Sequence, residues 1–320
     1  MPHLLIAGKL HPAGLALLDG VEDVTYDYVE EVSEPSYACL IGKADALVIR
    51  TQPMSSTTIA EASRLKIVSR HGVGYDAVDI AALNKRQVPL CIVGDVNSLS
   101  VAEHAMALIL ASAKRLIRAD RSVRAGPWGW RNALEAGEIS GKNLLIIGYG
   151  RSGRHLARMA QGFGMQTRAF DPHLLKQGWP DGPAAPVASL PEGLAWADVI
   201  SVHVPKAGRP VLVAEEFAQV KPGVIIVNTA RGGIVDEGAL AYALTNGRVG
   251  AAGLDVFDDE PPAGDHPLLA FDQVVLTPHI AGLTEQAAER MAVSSVQNVF
   301  DFFSGRLDPD LVVNKDFCHG

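Results

Sequence analysis

The sequence predicts an α/β protein with two doubly wound domains and a cleft between them. Three observations lead to this prediction. The chain has 320 residues, which is enough for about two domains of ordinary size. Short apolar runs alternate with helical patterns along most of the chain, as in parallel sheets covered by helices. Glycine is abundant, at 31 residues, and aromatic residues make up only 6%, a balance that suits many tight turns between strands and helices.

The first alternating series occupies about the first hundred residues. Its strands are expected at 4–7, 46–49, 67–69 and 90–93, with helices at 12–18, 58–63 and 78–86. A single long helix is then predicted from Ser100 to about Arg124. Ser98 or Ser100 can cap its start, and Glu103 lies at capping-box spacing after Ser100. The turn at Gly126 ends it.

The second alternating series supplies six predicted strands, as in a complete dinucleotide-binding fold. These strands are expected at 144–147, 167–170, 199–203, 224–228, 251–256 and 274–277, and a helix is expected at 154–162. A final helix, at 285–303, follows the sixth strand and is expected to return to the first domain. The second domain is therefore predicted at 99–286, inserted into a discontinuous first domain formed by 1–98 and 287–320.

Composition excludes several classes of protein. The formal net charge is −8, which argues against a protein that binds nucleic acid by neutralising phosphates. No window holds about 18 uninterrupted apolar residues, and the start of the chain shows no leader pattern, so no membrane partner is expected. Cys39, Cys91 and Cys318 are far apart, so neither a disulfide framework nor a metal site is predicted. These features predict a cytoplasmic protein.

A glycine motif, GYGRSG at 148–153, follows one predicted strand and opens a helical pattern. Gly148 permits the tight turn, Gly150 lets a pyrophosphate approach the backbone, and Gly153 lets helix and strand pack closely. Asp171 ends the next predicted strand, where a carboxylate accepts hydrogen bonds from the adenosine ribose and repels a 2′-phosphate. These features predict a Rossmann-like domain that binds NAD rather than NADP. The alternative is an ordinary glycine turn followed by a surface Asp.

Further polar residues follow predicted strands of the second domain, at the sheet edge where ligands bind. Arg231, among the small residues of NTARGGIVD, can hold a carboxylate in bidentate fashion, or it forms a surface salt bridge. Glu260 and His279 can form a carboxylate–imidazole pair that exchanges a proton with a carbonyl oxygen. The alternative is a structural histidine beside a solvated acidic loop.

The first domain contains a second glycine-rich turn, HGVG at 71–74, after the strand predicted at 67–69. The backbone N–H groups of Val73 and Gly74 are exposed by small residues and can bind a carboxylate. Arg50 follows the strand predicted at 46–49 and can add positive charge. The alternative is an ordinary glycine turn.

Together these motifs resemble the D-isomer-specific 2-hydroxyacid dehydrogenase family, which includes phosphoglycerate dehydrogenases and glyoxylate/hydroxypyruvate reductases. The resemblance extends over nearly the whole chain. Its motifs are HGVGYDAVD at 71–79, NSLSVAEHAMALIL at 97–110, GYGRSG at 148–153, HVP at 203–205, NTARGGIVDE at 228–237, GLDVFDDEPP at 253–262 and TPHIAG at 277–282.

The resemblance implies roles for individual residues. The catalytic residues would be Arg231, Glu260 and His279. The substrate-binding residues would be Arg50, Val73, Gly74, Arg231 and His279. The cofactor-binding residues would be Gly148, Gly150, Arg151, Ser152, Gly153, Asp171, Val204, Pro205, Thr229, Ala230, Asp255 and Gly282. Among these, Arg151 and Ser152 would contact the pyrophosphate and Asp255 the nicotinamide carboxamide.

The sequence departs from the family pattern at several positions. Ala207 stands where many members have Thr, Ser152 where Ile is usual, and Ala77 where Asn is common, so the subfamily stays open. Glu260 stands where formate dehydrogenases have Gln, which argues against that activity. The chain ends soon after VVN at 312–314, so a long C-terminal regulatory domain is not expected.

The resemblance implies an NAD-dependent oxidoreductase that transfers a hydride between nicotinamide and the α-carbon of a small D-2-hydroxy or 2-oxo acid. Acids of the phosphoglycerate and of the glyoxylate/hydroxypyruvate type both stay open. The alternatives are an NAD(H)-sensing binding protein of the corepressor type and a relative that acts on another small anion such as phosphite. Family members dimerise through the helix that matches the pattern from Ser100, so a homodimer through 100–124 is expected.

Overall fold

The computed structural model describes residues 2–206 and 208–315, and Ala207 and Cys318 lie outside the described residues. The chain divides into two compact units, one formed by Met1–Asn97 with Leu283–Gly320 and the other by Ser98–Gly282. The boundaries predicted at 98/99 and 286/287 stay a proposal for the functional domains. Each unit contains one parallel sheet with helices, so the predicted α/β class with two Rossmann-like sheets is confirmed.

Twelve strands and twelve α-helices are described within 2–206 and 208–315. The strands are β1 (His3–Ala7), β2 (Thr25–Val29), β3 (Ala46–Ile49), β4 (Ile67–Arg70), β5 (Leu90–Cys91), β6 (Asn143–Ile147), β7 (Gln166–Phe170), β8 (Ala185–Pro186), β9 (Val199–Val202), β10 (Val224–Asn228), β11 (Val249–Leu254) and β12 (Val274–Leu276). The helices are α1 (Pro12–Asp19), α2 (Glu34–Ala38), α3 (Ser56–Glu61), α4 (Ile80–Lys85), α5 (Ser98–Ala113), α6 (Leu116–Ala125), α7 (Arg151–Gly162), α8 (Pro172–Gln177), α9 (Leu190–Trp196), α10 (Ala214–Gln219), α11 (Glu237–Thr245) and α12 (Glu285–Phe303). Short 3₁₀ turns occur at Ile41–Lys43, Trp128–Ala133, Pro267–Ala270 and Pro309–Leu311.

The first sheet has the strand order β2-β1-β3-β4-β5, with every pair parallel. Its central strands are continuous apolar runs because helices cover both faces. The sequence order reverses between β1 and β3, which is where ligands bind in sheets of this kind. Helix α12 packs against α1, β3 and β4, and the Ser69 hydroxyl donates to the carbonyl oxygen of Ser295 at 2.8 Å.

Two elements of this unit are missing from the sequence-based prediction. Strand β2, with the sequence TYDYV, lies at the edge of the sheet and is mostly half-buried, so it lacks the apolar run that marks a central strand. Helix α2 has five residues, which is too short for a periodic pattern. The predicted strand at 90–93 is also shorter than expected, because Ile92 N donates to Leu311 O instead of continuing the ladder.

The second sheet has the order β12-β11-β10-β9-β6-β7-β8, with seven parallel strands among the described residues. The prediction of six strands is wrong because β8 has only two residues, at the exposed edge of the sheet. If β6 is taken as the first strand, the strands from β8 to β11 have the order of dinucleotide-binding sheets, and β12 is an additional strand beside β11. The sequence order reverses between β6 and β9, so ligands are expected at the carboxyl ends of these strands.

The predicted single helix from Ser100 to Arg124 is also wrong. Helix α5 ends at Ala113 and α6 begins at Leu116, because Arg115 adopts a left-handed conformation with φ +51°. The Arg115 guanidinium donates to the carbonyl oxygen of Gly250 at 2.9 Å, a long-range contact that a periodic apolar pattern does not reveal. Helix α5 packs closely on β11, where a Cβ at Gly253 would lie 2.7 Å from that of Leu108.

Two features are absent from the described ranges 2–206 and 208–315. None of the helices there combines the length and the apolar character that crossing a bilayer requires. Nor do three or more His, Cys, Asp or Glu side chains in these ranges come together as metal ligands would.

Candidate active site

The loop between β6 and α7 has the backbone geometry of a phosphate-binding turn. A Cβ at Gly148, whose φ is +93°, would lie 2.6 Å from the carbonyl oxygen of His203. A Cβ at Gly153 would overlap the carbonyl oxygen of Gly148, so helix and strand touch there. A Cβ at Gly150, by contrast, would meet no heavy atom of the described residues within 4 Å. The first and third glycines are therefore required by the protein backbone, and the second borders open space where a pyrophosphate fits.

Replacing Gly150 with alanine is expected to weaken dinucleotide binding by about tenfold or more while leaving the melting temperature nearly unchanged. The added methyl group enters the open space beside the N-terminus of α7, and the φ of −76° at Gly150 is accessible to alanine. Fluorescence titration with NADH and thermal melts measure the two quantities. Gly153→Ala is the comparison and should lower both the affinity for NADH and the melting temperature. Unchanged NADH affinity in Gly150→Ala would contradict the assignment of this loop.

Asp171 links the glycine loop to the next helix. It directly follows β7 and caps α8, where its Oδ1 accepts hydrogen bonds from the backbone N–H groups of His173 and Leu174 at 3.0 and 3.2 Å. Its Oδ2 accepts a hydrogen bond from Tyr149 N at 3.0 Å. The carboxylate is thus held rigidly beside the glycine loop, as a ribose-binding acid requires. This capping role is not predicted from the sequence.

Other predicted cofactor residues lie at the same edge of the second sheet. Val204 and Pro205 follow β9, and the Val204 side chain packs against Gly148. Thr229 follows β10 and is buried, with a hydroxyl that has no hydrogen-bond partner among the described residues. Such an orphaned buried hydroxyl is costly unless a ligand satisfies it. The open glycine loop, the fixed Asp171 carboxylate and this hydroxyl together fit a bound dinucleotide.

Arg231 lies on a loop after β10 that is fixed by its own hydrogen bonds. Asn228 Nδ2 donates to the carbonyl oxygen of Arg231 at 2.9 Å, and Asn228 Oδ1 accepts from Ala230 N at 3.0 Å. The next residue, Gly232, touches the loop after β11 so closely that a Cβ there would overlap the carbonyl group of Phe257. The loops that carry Arg231 and Glu260 are therefore in direct backbone contact.

His279 and Glu260 form the imidazole–carboxylate pair that the sequence predicts. His279 Nδ1 lies 2.6 Å from Glu260 Oε2, and Phe257 N donates to Glu260 Oε1 at 3.1 Å. The imidazole is 48% exposed and its backbone has φ +54°, a conformation supported by a hydrogen bond from His279 N to the carbonyl oxygen of Asp255. With Nδ1 engaged by the carboxylate, Nε2 is the nitrogen left to exchange a proton with a ligand.

Asp255 is buried beneath the turn that carries the histidine. Its carboxylate accepts hydrogen bonds from the Thr277 hydroxyl at 2.5 Å and from the N–H groups of Ile280 and Ala281 at 2.9 and 2.8 Å. His104 Nε2 lies 2.9 Å from Thr277 Oγ1 and is the donor, because the Thr277 proton goes to Asp255. His104 and Thr277 are not among the site residues predicted from the sequence, and the contact of Asp255 with a carboxamide stays a prediction.

The predicted substrate loop belongs to the first unit. Arg50 follows β3, and His71, Val73 and Gly74 follow β4, at the carboxyl edge of the first sheet. His71 is buried, and burial together with the charges of Arg50 and Arg70 lowers the pKa of its imidazole to about 4, so it is neutral near pH 7. Arg231, Glu260 and His279 belong to the second unit, as does Gly282. The joint action of the two sets on one substrate is a proposal.

Comparisons with known proteins agree with this geometry. Residues 106–281 match the family model for the NAD-binding domain of D-isomer specific 2-hydroxyacid dehydrogenases. D-3-phosphoglycerate dehydrogenase of Mycobacterium tuberculosis is 39% identical over 321 residues, which cover 98% of this chain but 59% of that protein. Glyoxylate reductase of Aeropyrum pernix is 35% identical over 323 residues, which cover 97% of this chain and 96% of that protein. The crystal structure of the TT0316 protein from Thermus thermophilus has a TM-score of 0.88 and 30% identity, and the match covers 96% and 98% of the two chains.

Proposed function

The chain belongs to the D-isomer-specific 2-hydroxyacid dehydrogenase family, and from this premise we propose that it is an NAD-dependent oxidoreductase acting on a small D-2-hydroxy or 2-oxo acid. The chain spans 59% of the length of the mycobacterial phosphoglycerate dehydrogenase and nearly the full length of the glyoxylate reductase. Acids of the glyoxylate type and of the phosphoglycerate type, which these two relatives are named for, are the first substrates to test.

The observation that supports this proposal best is the 2.6 Å contact between His279 Nδ1 and Glu260 Oε2. In reduction, His279 Nε2 gives a proton to the carbonyl oxygen of the substrate, and in oxidation it takes the proton back from the hydroxyl. Glu260 holds the ring in the required orientation and stabilises the imidazolium. NAD, when bound, supplies or accepts the hydride at the α-carbon.

The substrate carboxylate is held by groups that favour negative charge. The Arg231 guanidinium binds it in bidentate fashion and polarises the neighbouring carbonyl group. The backbone N–H groups of Val73 and Gly74 add hydrogen bonds, and Arg50 adds positive charge.

A substrate screen with NADH absorbance tests the proposed activity. Glyoxylate, hydroxypyruvate, pyruvate and 3-phosphohydroxypyruvate are each offered with NADH, and Arg231→Gln serves as the control for reduction outside this site. The expected result is turnover of at least one acid, with a large loss in the control. NADH binding without turnover of any acid would contradict the proposal and favour a binding protein of the corepressor type.

Replacing Asp171 with asparagine is expected to reduce the preference for NAD over NADP. The change removes the charge that repels a 2′-phosphate and the hydrogen bond from Tyr149 N, but it retains a side-chain oxygen to cap α8. The ratio of kcat/KM values for NADH and NADPH measures the effect. Asp171→Ala is the comparison, because it also loses the cap, at about 1 kcal/mol of stability. An unchanged ratio in Asp171→Asn would show that Asp171 does not discriminate the cofactors.

We also propose a homodimer through the 100–124 region and a cytoplasmic location. Large apolar side chains are exposed in and after α6, among them Leu116 at 56%, Val123 at 59% and Trp128 at 66%. Val123→Lys is expected to convert the dimer to a monomer in light scattering, whereas Val32→Lys, at an exposed site of the other unit, should not. A monomeric wild type, or a dimer that survives Val123→Lys, would contradict this interface. The cytoplasmic location is supported by the free thiols of Cys39 and Cys91, since free thiols persist in a reducing compartment.

A further inference from the structure

The second unit has a cavity at the edge of its sheet opposite the glycine loop. Its volume is about 240 Å³. It is lined by the residue before β6, the first residue of β9, the first two residues of β10 and two residues near the start of β11. Since all strands are parallel, these positions share the amino edge, whereas Arg231, Glu260 and His279 follow carboxyl ends. The cavity therefore does not belong to the site described above.

Two buried polar groups on the cavity wall have unused hydrogen-bonding capacity. Ser112, near the end of α5, is 2% exposed, and its hydroxyl has no hydrogen-bond partner among the described residues. Arg115 donates through Nη2 to the carbonyl oxygen of Gly250, but its buried Nη1 has no partner in the same part of the chain. Burial lowers the pKa of the Arg115 guanidinium, and the attraction of the nearby Glu135 carboxylate offsets this effect only in part.

The charges around the cavity favour a ligand with a single negative charge. Three bases and three acids line it, and two of the acids are already compensated. Lys221 Nζ lies 3.0 Å from Asp198, and Glu135 is paired with Arg118 at 2.8 Å. Arg115 and Lys142 then outweigh the remaining acid, Glu138, by one charge. A phosphate dianion carries one negative charge more than is needed to neutralise this excess, whereas a monoanion neutralises it.

The rest of the lining limits the size and polarity of the ligand. Ala113, Ile139, Val199 and Val224 supply apolar surface close to the two polar groups. The volume lies below the roughly 300–1,000 Å³ of pockets that hold drug-sized ligands. The ligand is therefore a molecule with few heavy atoms, an anionic end and a short apolar body.

We propose that this cavity is a second ligand site, which binds a small monocarboxylate. The carboxylate accepts hydrogen bonds from Ser112 Oγ and Arg115 Nη1, and a short branched carbon chain packs against Ala113, Ile139 and Val224. The assignment does not depend on the activity proposed above, because it rests on a different edge of the sheet.

Binding of isobutyrate, measured by ligand-observed NMR and calorimetry, tests the proposal. The full chain carrying Arg231→Gln is used, so that carboxylate binding at the proposed active site is weakened. We expect a dissociation constant in the millimolar range, and about tenfold weaker binding when Ser112→Ala is added, since a hydrogen bond to a charged group is lost. Ser56→Ala, at an exposed position at the start of α3 in the other unit, is the matched control and should leave the affinity unchanged.

Further measurements separate a ligand site from a structural effect. The melting temperature of Ser112→Ala without ligand should equal or exceed that of the wild type, because the deleted hydroxyl has no hydrogen-bond partner within 2–206 and 208–315. Isobutyramide, which has the same shape without the charge, should bind at least tenfold more weakly. Binding of valine is measured in parallel, because a comparison of its affinity with that of isobutyrate shows whether the natural carboxylate belongs to an amino acid or to a simple acid. Absence of isobutyrate binding, equal affinities with and without Ser112→Ala, or equal binding of isobutyramide would overturn the proposal.

Discussion

Replacing His279 with alanine is expected to lower kcat for 2-oxo acid reduction by about 10²–10⁴-fold, the usual contribution of a general acid or base. The imidazole is the group whose Nδ1 is held by Glu260 Oε2 and whose Nε2 is left to donate the proton. Without it, the proton must come from water. Steady-state kinetics with NADH measure kcat, and a fluorescence titration should show nearly unchanged NADH affinity.

The Glu260→Gln variant tests separately the two roles of Glu260, which are to orient the imidazole of His279 and to place a negative charge beside it. Glutamine keeps an oxygen that can accept from Phe257 N, but it removes the negative charge beside the ring. The pH–rate profile of this variant should therefore change, with a smaller loss of kcat than in His279→Ala. A His279→Ala enzyme with near-wild-type kcat, or a Glu260→Gln enzyme with an unchanged profile, would remove the respective residue from the mechanism.

Much of the fold could be predicted from the sequence because buried parallel strands appear as continuous apolar runs. Strands β3 and β10, for example, begin and end where the sequence predicts them, as does helix α12. The edge strands β2 and β8 could not be predicted, since they are only partly buried or very short. The break between α5 and α6 depends on Arg115 and Gly250, which are distant in sequence, so no local pattern marks it.

The candidate site shows the same division. The contact between His279 and Glu260 could be predicted from motif order and strand ends. The hydrogen bonds that join Thr277 to Asp255 and His104 could not be predicted in this way. His104 and Thr277 meet only because α5 packs under the end of β12, and each alone is an ordinary polar residue in its segment. The capping of α8 by Asp171 could not be predicted either, because the position of Asp171 in the sequence suggests only the contact with a ribose.

Replacing Gly232 with alanine is expected to cause the second large effect, through the backbone rather than through chemistry. A Cβ at this position would overlap the carbonyl group of Phe257, which belongs to the loop that leads to Glu260. A backbone group cannot move aside as a flexible side chain can, so the two loops must separate. Overpacking of this kind costs about 1–3 kcal/mol of stability, and a displacement near 1 Å can lower kcat by about 10²-fold.

Gly264→Ala is the control for this prediction, since a Cβ there would meet no heavy atom of the described residues within 4 Å. It should retain the kcat and melting temperature of the wild type. In Gly232→Ala, both quantities should fall together, because Arg231 adjoins the altered residue and Glu260 follows the displaced loop. Loss of kcat with an unchanged melting temperature would mean that the loops separate without cost. Wild-type values of kcat and melting temperature would mean that the close approach at Gly232 does not fix the positions of Arg231 and Glu260 relative to each other.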